Sequence, residues 1–182
     1  ALVVKSGVTI KNNNTTRIEV FGSLITEGVN SNDIVFTSFY DPLESYWFGI
    51  SANPGSFIKI SGATLKNGGK ISSWGPLEKQ AVLYLDTADT EIENSLFENN
   101  FKNAIIAVNS SPYIKNTEFK NQTKPSLDSR GIYYSNSRIN LENVAFRNNE
   151  LGIFADAASI LGTIADVVFE GNISTSSVNL LP

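Results

Sequence analysis

A phrase of the form Ile-x-Asn-x-x-Phe-x-Asn returns along this chain and constrains it more than any other feature. It reads Ile92-Glu93-Asn94-Ser95-Leu96-Phe97-Glu98-Asn99, then Ile114-Lys115-Asn116-Thr117-Glu118-Phe119-Lys120-Asn121, then Leu141-Glu142-Asn143-Val144-Ala145-Phe146-Arg147-Asn148. It fades to Ile164-Ala165-Asp166-Val167-Val168-Phe169-Glu170-Gly171. The steps between the Phe positions are 22, 27 and 23 residues. A repeat of this length is one supersecondary unit stacked on copies of itself.

Each Phe follows a small residue that opens an apolar run: Gly49-Ile50, Ala81-Val82, Ala104-Ile105, Gly131-Ile132 and Gly152-Ile153. Each unit thus holds three short β-like runs separated by Asn, Ser, Asp and Gly. None has helical periodicity over a useful length. Three strands and three corners per unit make one turn of a parallel β-helix, with turns about 4.8 Å apart. Residues 1–172 are expected to form an all-β parallel β-helix, a solenoid of about seven coils, and residues 173–182 a tail or end cover.

Stacking places equivalent residues above one another. The expected inward column is Ile50, Val82, Ile105, Ile132 and Ile153, beside a second column of Phe36, Leu65, Phe97, Phe119, Phe146 and Phe169. Three corner columns carry short amides or carboxylates: Asp86, Asn109 and Asn136; Asn94, Asn116, Asn143 and Asp166; Asn100, Gln122, Asn149 and Asn172. Such side chains tolerate left-handed backbone and bond to nearby backbone groups. The columns are read as structural ladders, with Asn116 buried between its neighbours.

Composition narrows the function. The chain has no Cys, His or Met. It therefore lacks a disulfide framework, a thiol nucleophile, the usual general base and the commonest transition-metal ligand. No cofactor and no metal site is expected. Charges are dispersed, with 14 basic against 18 acidic residues, so there is no electrostatic footprint for nucleic acid. No apolar stretch approaches the length of a membrane-spanning helix. The abundance of Asn, Ser and Thr fits an extracellular or cell-surface protein. The strand-like opening Ala1-Leu2-Val3-Val4 reads as a start inside a longer rod.

The N-terminal words add a resemblance. Leu2-Val3-Val4-Lys5-Ser6-Gly7-Val8-Thr9-Ile10 is followed by Gly22-Ser23-Leu24-Ile25-Thr26-Glu27-Gly28, Asp33-Ile34-Val35-Phe36-Thr37-Ser38 and Trp47-Phe48-Gly49-Ile50. This order resembles right-handed parallel β-helix modules of secreted and surface-anchored microbial proteins, in the pectate-lyase-like superfamily. The Phe-x-x-Asn words look like those of β-helical adhesin passenger domains. The resemblance implies the right hand, in line with the chirality of parallel crossovers. It does not choose among lyases, glycosidases, adhesins and stalks, which share the fold.

Extra residues at 39–48, 68–80 and 122–130 all leave one corner of the rod in the repeat alignment. The first two carry Tyr40, Tyr46, Trp47 and Trp74, candidates for stacking on sugar faces or burying in a partner. Strand alternation turns Leu83, Ile106, Tyr133 and Phe154 outward as an apolar stripe, an interface candidate to be covered by a neighbouring subunit or by Val178, Leu180 and Leu181 of the tail. Asp86, Asp89, Glu91, Glu93, Asp41 and Glu44 are the carboxylates available for hydrolysis or elimination. The outer positions Ser51, Leu83, Ile106, Tyr133 and Phe154 lack the charges that chemistry needs. No catalytic residue is assigned. The reading favours a non-catalytic adhesin, stalk or filament module contacting glycan or surface protein, with self-association as a further expectation. The alternative is a polysaccharide-active lyase or hydrolase.

Overall fold

The structure is a computed structural model that describes residues 1–39, 46–70, 80–122 and 129–173. Coil 1 is β1 (Leu2–Lys5), β2 (Thr9–Asn12) and β3 (Arg17–Val20); coil 2 is β4 (Ser23–Glu27), β5 (Ile34–Ser38) and β6 (Gly49–Ala52). Coil 3 is β7 (Phe57–Ser61), β8 (Ala63–Lys66) and β9 (Ala81–Asp86); coil 4 is β10 (Asp89–Glu93), β11 (Leu96–Glu98) and β12 (Asn103–Val108). In coils 5 and 6 the first two strands fuse, giving β13 (Tyr113–Lys120) with β14 (Arg130–Ser135), and β15 (Arg138–Arg147) with β16 (Leu151–Ala155). Coil 7 begins with β17 (Ile160–Glu170).

Every strand pair among the described residues is parallel, and each strand pairs with its equivalent one coil away. Strands β3, β6, β9, β12, β14 and β16 form one six-stranded face, and the fused strands join the other two faces into one eleven-stranded sheet. This is the expected parallel β-helix, with six full coils and the opening of a seventh. The long connections between β5 and β6, β8 and β9, and β13 and β14 all link the second face to the third, at one corner.

The Phe column is confirmed residue by residue. Ile10, Phe36, Leu65, Phe97, Phe119, Phe146 and Phe169 are in register through the stack. Rings of successive coils stack at 5.0 Å (Phe97–Phe119), 5.0 Å (Phe119–Phe146) and 5.2 Å (Phe146–Phe169). The small residues that open the third face make room for them. A Cβ on Gly131 would lie 2.6 Å from the Phe146 ring, and one on Gly152 2.7 Å from the Phe169 ring.

The first corner shows why Asn repeats. Asn94, Asn116, Asn143 and Asp166 have φ of 50°, 47°, 51° and 52°, and Gly62 occupies the same place one coil earlier at 61°. Left-handed backbone is costly for most side chains and least so for Gly, Asn and Asp. The same holds after the Phe, where Asn67, Asn99, Asn121, Asn148 and Gly171 all have positive φ.

One expectation is corrected by the register of β9. Leu83 pairs with Ile50 and Ile105, so Leu83 is the inward residue and is fully buried in the main core. Val82 takes the small-residue position at the level of Gly49, Ala104, Gly131 and Gly152. The outer column is therefore Ser51, Tyr84, Ile106, Tyr133 and Phe154. The spacing held the signal: Leu83 to Phe97 is 14 residues, as are Ile105 to Phe119 and Ile132 to Phe146. The same one-residue slip puts Thr87 (φ 50°), not Asp86, at the corner below Asn109 and Asn136.

Candidate functional site

Two ladders with opposite exposure run up the rod. In the inner ladder each amide braces the coil before it. Asn100 Nδ2 donates to Leu65 O (3.2 Å), Gln122 Nε2 to Phe97 O (2.8 Å), Asn149 Nδ2 to Phe119 O (3.0 Å) and Asn172 Nδ2 to Phe146 O (3.0 Å). Their oxygens accept in turn from the backbone N–H of Gly68, Asn100, Gln122 and Asn149. Asn100, Gln122 and Asn149 are buried. A serine ladder that the sequence reading missed does the same at the third corner: Ser110, Ser137 and Ser159 accept from the N–H of Ala88, Ser110 and Ser137.

The outer ladder faces solvent. Asn116 Nδ2 donates to Asn94 Oδ1 (3.1 Å) and Asn143 Nδ2 to Asn116 Oδ1 (2.9 Å). Asn116 and Asn143 are exposed, which corrects the expectation of a buried Asn116. These residues line a groove of about 480 Å³, stacked one above another along the rod axis. Asn94, Asn116, Asn143 and Asp166 lie along it, and Glu118, Arg147 and the 29–31 segment also line it. That segment is held by Asp33, whose carboxylate accepts from Val29 N (2.8 Å) and Asn30 N (3.1 Å). Those backbone donors hold the Asp33 carboxyl below its ordinary range. Asn116 spends one donor on Asn94 and one acceptor site on Asn143, and keeps its second donor and second lone pair for solvent or ligand. Arg147 is held between Glu118 (3.0 Å) and Glu170 (2.7 Å).

The first face carries a second cluster of charged side chains. Glu91, Glu93, Tyr113 and Lys115 line a smaller hollow of about 210 Å³. Lys59 pairs with Glu91 at 3.3 Å and Lys115 with Glu142 at 2.6 Å, and Tyr113 Oη donates to Glu142. The hydrogen bonds from Lys115 and Tyr113 hold Glu142 below the usual carboxylate range, and Glu142 holds Lys115 and Tyr113 above theirs. These shifts run against acid–base work near neutral pH, which needs a raised carboxyl or a lowered amine. Among the described residues no group of three His, Cys, Asp or Glu could hold a metal. No helix of the described residues is long and apolar enough to cross a membrane.

The aromatic candidates divide. Trp47 has no exposed surface; its Nε1 donates to Lys66 O at 2.9 Å and its indole packs against Gly68. Trp47 is a core residue at the corner, which corrects its assignment as a contact residue. Tyr46 is half-buried and meets Phe101 edge-on at 5.3 Å, and burial pushes its hydroxyl pKa up. Tyr40 and Trp74 lie outside the described residues, as does the tail segment proposed to cover the stripe. On the third face Tyr133 and Phe154 meet at 5.4 Å, with the Arg130 guanidinium 5.5 Å and 4.7 Å from their ring centres. Ile106 is buried beside Tyr84 and Tyr133, so the stripe is far less open than alternation alone implies.

The description of a right-handed β-helix region matches residues 48–177 of this chain. The chain belongs to that family, which gives the coil its right hand. No curated protein and no solved structure matches it.

Proposed function

We propose that this β-helix is a non-catalytic extracellular or cell-surface module that holds an extended glycan along its outer asparagine groove. One observation carries the reading: Asn94, Asn116 and Asn143 form a bonded row of amides lining an axial groove, half-buried at Asn94 and exposed at Asn116 and Asn143. The row repeats at the strand spacing, about 4.8 Å, so it offers donors and acceptors at regular steps to a linear polymer rich in hydroxyls. The ladder bonds and left-handed backbone fix the amides before any ligand arrives, which lowers the ordering cost of binding. Glu118, Asp166 and Arg147 add charge of both signs to the groove lining and favour a neutral or zwitterionic chain over a strongly anionic one.

Glycan-array binding tests this, with Asn116→Gly/Asn143→Gly as the comparison. Glycine keeps the left-handed corner and removes only the amides. Losing one or two ligand hydrogen bonds weakens binding by roughly 0.5–1.5 kcal/mol each, up to about tenfold per bond. No glycan bound, or equal binding by the folded variant, rejects the groove. Release of reducing or unsaturated ends from a bound polysaccharide decides for the alternative, a lyase or glycoside hydrolase.

A further inference from the structure

On the proposal that the outer asparagine row holds a glycan, we infer that this glycan carries an unacetylated amino sugar, whose ammonium group is received by Asp166 and Asn143 Oδ1. The outer ladder has a direction. Asn143 Nδ2 donates to Asn116 Oδ1, and Asn116 Nδ2 to Asn94 Oδ1. Each amide thus turns a donor to the coil before it and its oxygen to the coil after it. The next step breaks the pattern. Register sets Asp166 one coil beyond Asn143, and φ is 52° against 51°, so the backbone is alike and only the side chain differs. A carboxylate has no hydrogen to give. Asn143 Oδ1 therefore meets a second acceptor where the earlier steps supply a donor. No described residue donates to Asn143 Oδ1 or to the Asp166 carboxylate.

Charge selects the donor that fits there. The Arg147 guanidinium is spent between Glu118 and Glu170, at 3.0 Å and 2.7 Å. Asp166 lines the same groove and has no ion-pair partner among the described residues. Three carboxylates thus stand against one guanidinium, and Asp166 holds the unpaired charge beside the Asn143 oxygen. A hydroxyl offers this pair one hydrogen and no charge. An ammonium offers three hydrogens and the opposite charge, in bonds roughly twice as strong as neutral ones. Acetylation of the amine leaves a single uncharged N–H and adds bulk, so it removes the match. A free polyamine has ammonium groups but no hydroxyls for the amides of Asn94 and Asn116. An amino sugar within a glycan has both.

Calorimetric titration of the whole chain at low salt tests this with four probes: the β-1,4 tetramer of glucosamine, the same tetramer fully N-acetylated, cellotetraose and spermine. The glucosamine tetramer is expected to bind at least tenfold tighter than each of the others. Asp166→Asn keeps a residue suited to the left-handed corner, removes the charge and gives Asn143 Oδ1 an amide donor. It should weaken glucosamine-tetramer binding at least tenfold. Glu19→Gln removes an equal charge from the exposed side of the third face, outside the groove, and should leave binding unchanged. Equal losses in the two variants would assign the affinity to net charge and overturn the inference. A glucosamine preference that survives Asp166→Asn overturns it, as does spermine binding as tightly as the tetramer. If wild type binds the three tetramers alike and Asn116→Gly/Asn143→Gly weakens all of them, the ammonium site is wrong and the groove reading stands. A glucosamine tetramer that does not bind also overturns the inference, and the glycan array then judges the groove by itself.

Discussion

The side chain of Asn149 donates to the carbonyl of Phe119, 3.0 Å away and one coil earlier, while its oxygen accepts from the backbone of Gln122. One amide thus satisfies two buried backbone groups of the neighbouring coil. Asn116 in the outer ladder bonds only to Asn94 and Asn143, in water. The two asparagines look alike in sequence and are predicted to respond differently to substitution.

Asn149→Leu should leave the Gln122 N–H unpaired inside the rod and take the side-chain donor from the Phe119 carbonyl. A buried group left unpaired costs about 1–3 kcal/mol. Asn116→Gly should change stability by only a few tenths of a kcal/mol, since its backbone is left-handed and its amide exposed. Urea denaturation of both variants checks this. Equal midpoints would show that the inner ladder braces nothing.

Trp47 is expected to matter for stability and not for binding. Trp47→Ala removes a fully buried indole and should cost about 3–5 kcal/mol. Trp47→Phe keeps most of the packing but leaves the Lys66 carbonyl without its indole donor, at about 1–3 kcal/mol. Thermal melts measure both. A wild-type melt for Trp47→Ala contradicts a core role.

Acid should loosen the third corner through Asp156. Burial opposes its ionisation, but Ser135 Oγ, Asn136 N, Ser159 Oγ and Ala158 N all donate to the carboxylate, and together they hold it below the ordinary carboxylate range. A depressed folded pKa means the stabilisation is fully present above the unfolded value. It is lost as pH falls from about that value through the folded pKa. Asp156→Asn should be less stable than wild type at pH 7, with the difference shrinking below pH 4. A difference that stays constant with pH would remove Asp156 from the acid response.

Much of the architecture was legible because a stack forces equivalent residues to share an environment. The Phe column could be read from spacing alone, since each ring must fall on the ring below. The corner Asn columns were legible for the same reason. Their exposure was not. Asn143 and Asn149 are the same residue in the same phrase, but Asn149 follows a left-handed Asn148 that turns it inward. Trp47 was misread because an aromatic on a long connection looks the same whether it closes the corner over Gly68 or faces solvent. The β9 slip arose from taking Ala81 as the small residue, when Val82 fills that place and the connection before it ends one residue later. The groove joins segments 29–31, 94–96 and 143–145, and only the stacked coils bring them together.

Thr87 is the exception in its column and gives the sharpest test of the corner rule. Its φ is 50°, in a region where a β-branched residue is strained, whereas Asn109 and Asn136 above it have 49° and 47°. Asn136 already donates to Asn109 Oδ1 at 2.7 Å, so the exposed ladder stops at Thr87 for want of an amide. Thr87→Asn should relieve the backbone cost and extend the ladder by one bond. The local cost removed is about 1 kcal/mol, against the loss of one exposed hydrogen bond from Thr87 Oγ1 to Asp86. The net expectation is a gain of roughly 0.5–1 kcal/mol. Thr87→Gly should gain less, because glycine relieves the strain but adds chain entropy to the unfolded state and no ladder bond. Thr87→Val, which keeps the branching and drops the hydroxyl, should lose stability. Denaturant midpoints that fail to fall in the order Asn, Gly, Thr, Val would mean that left-handed strain does not set residue choice at this corner.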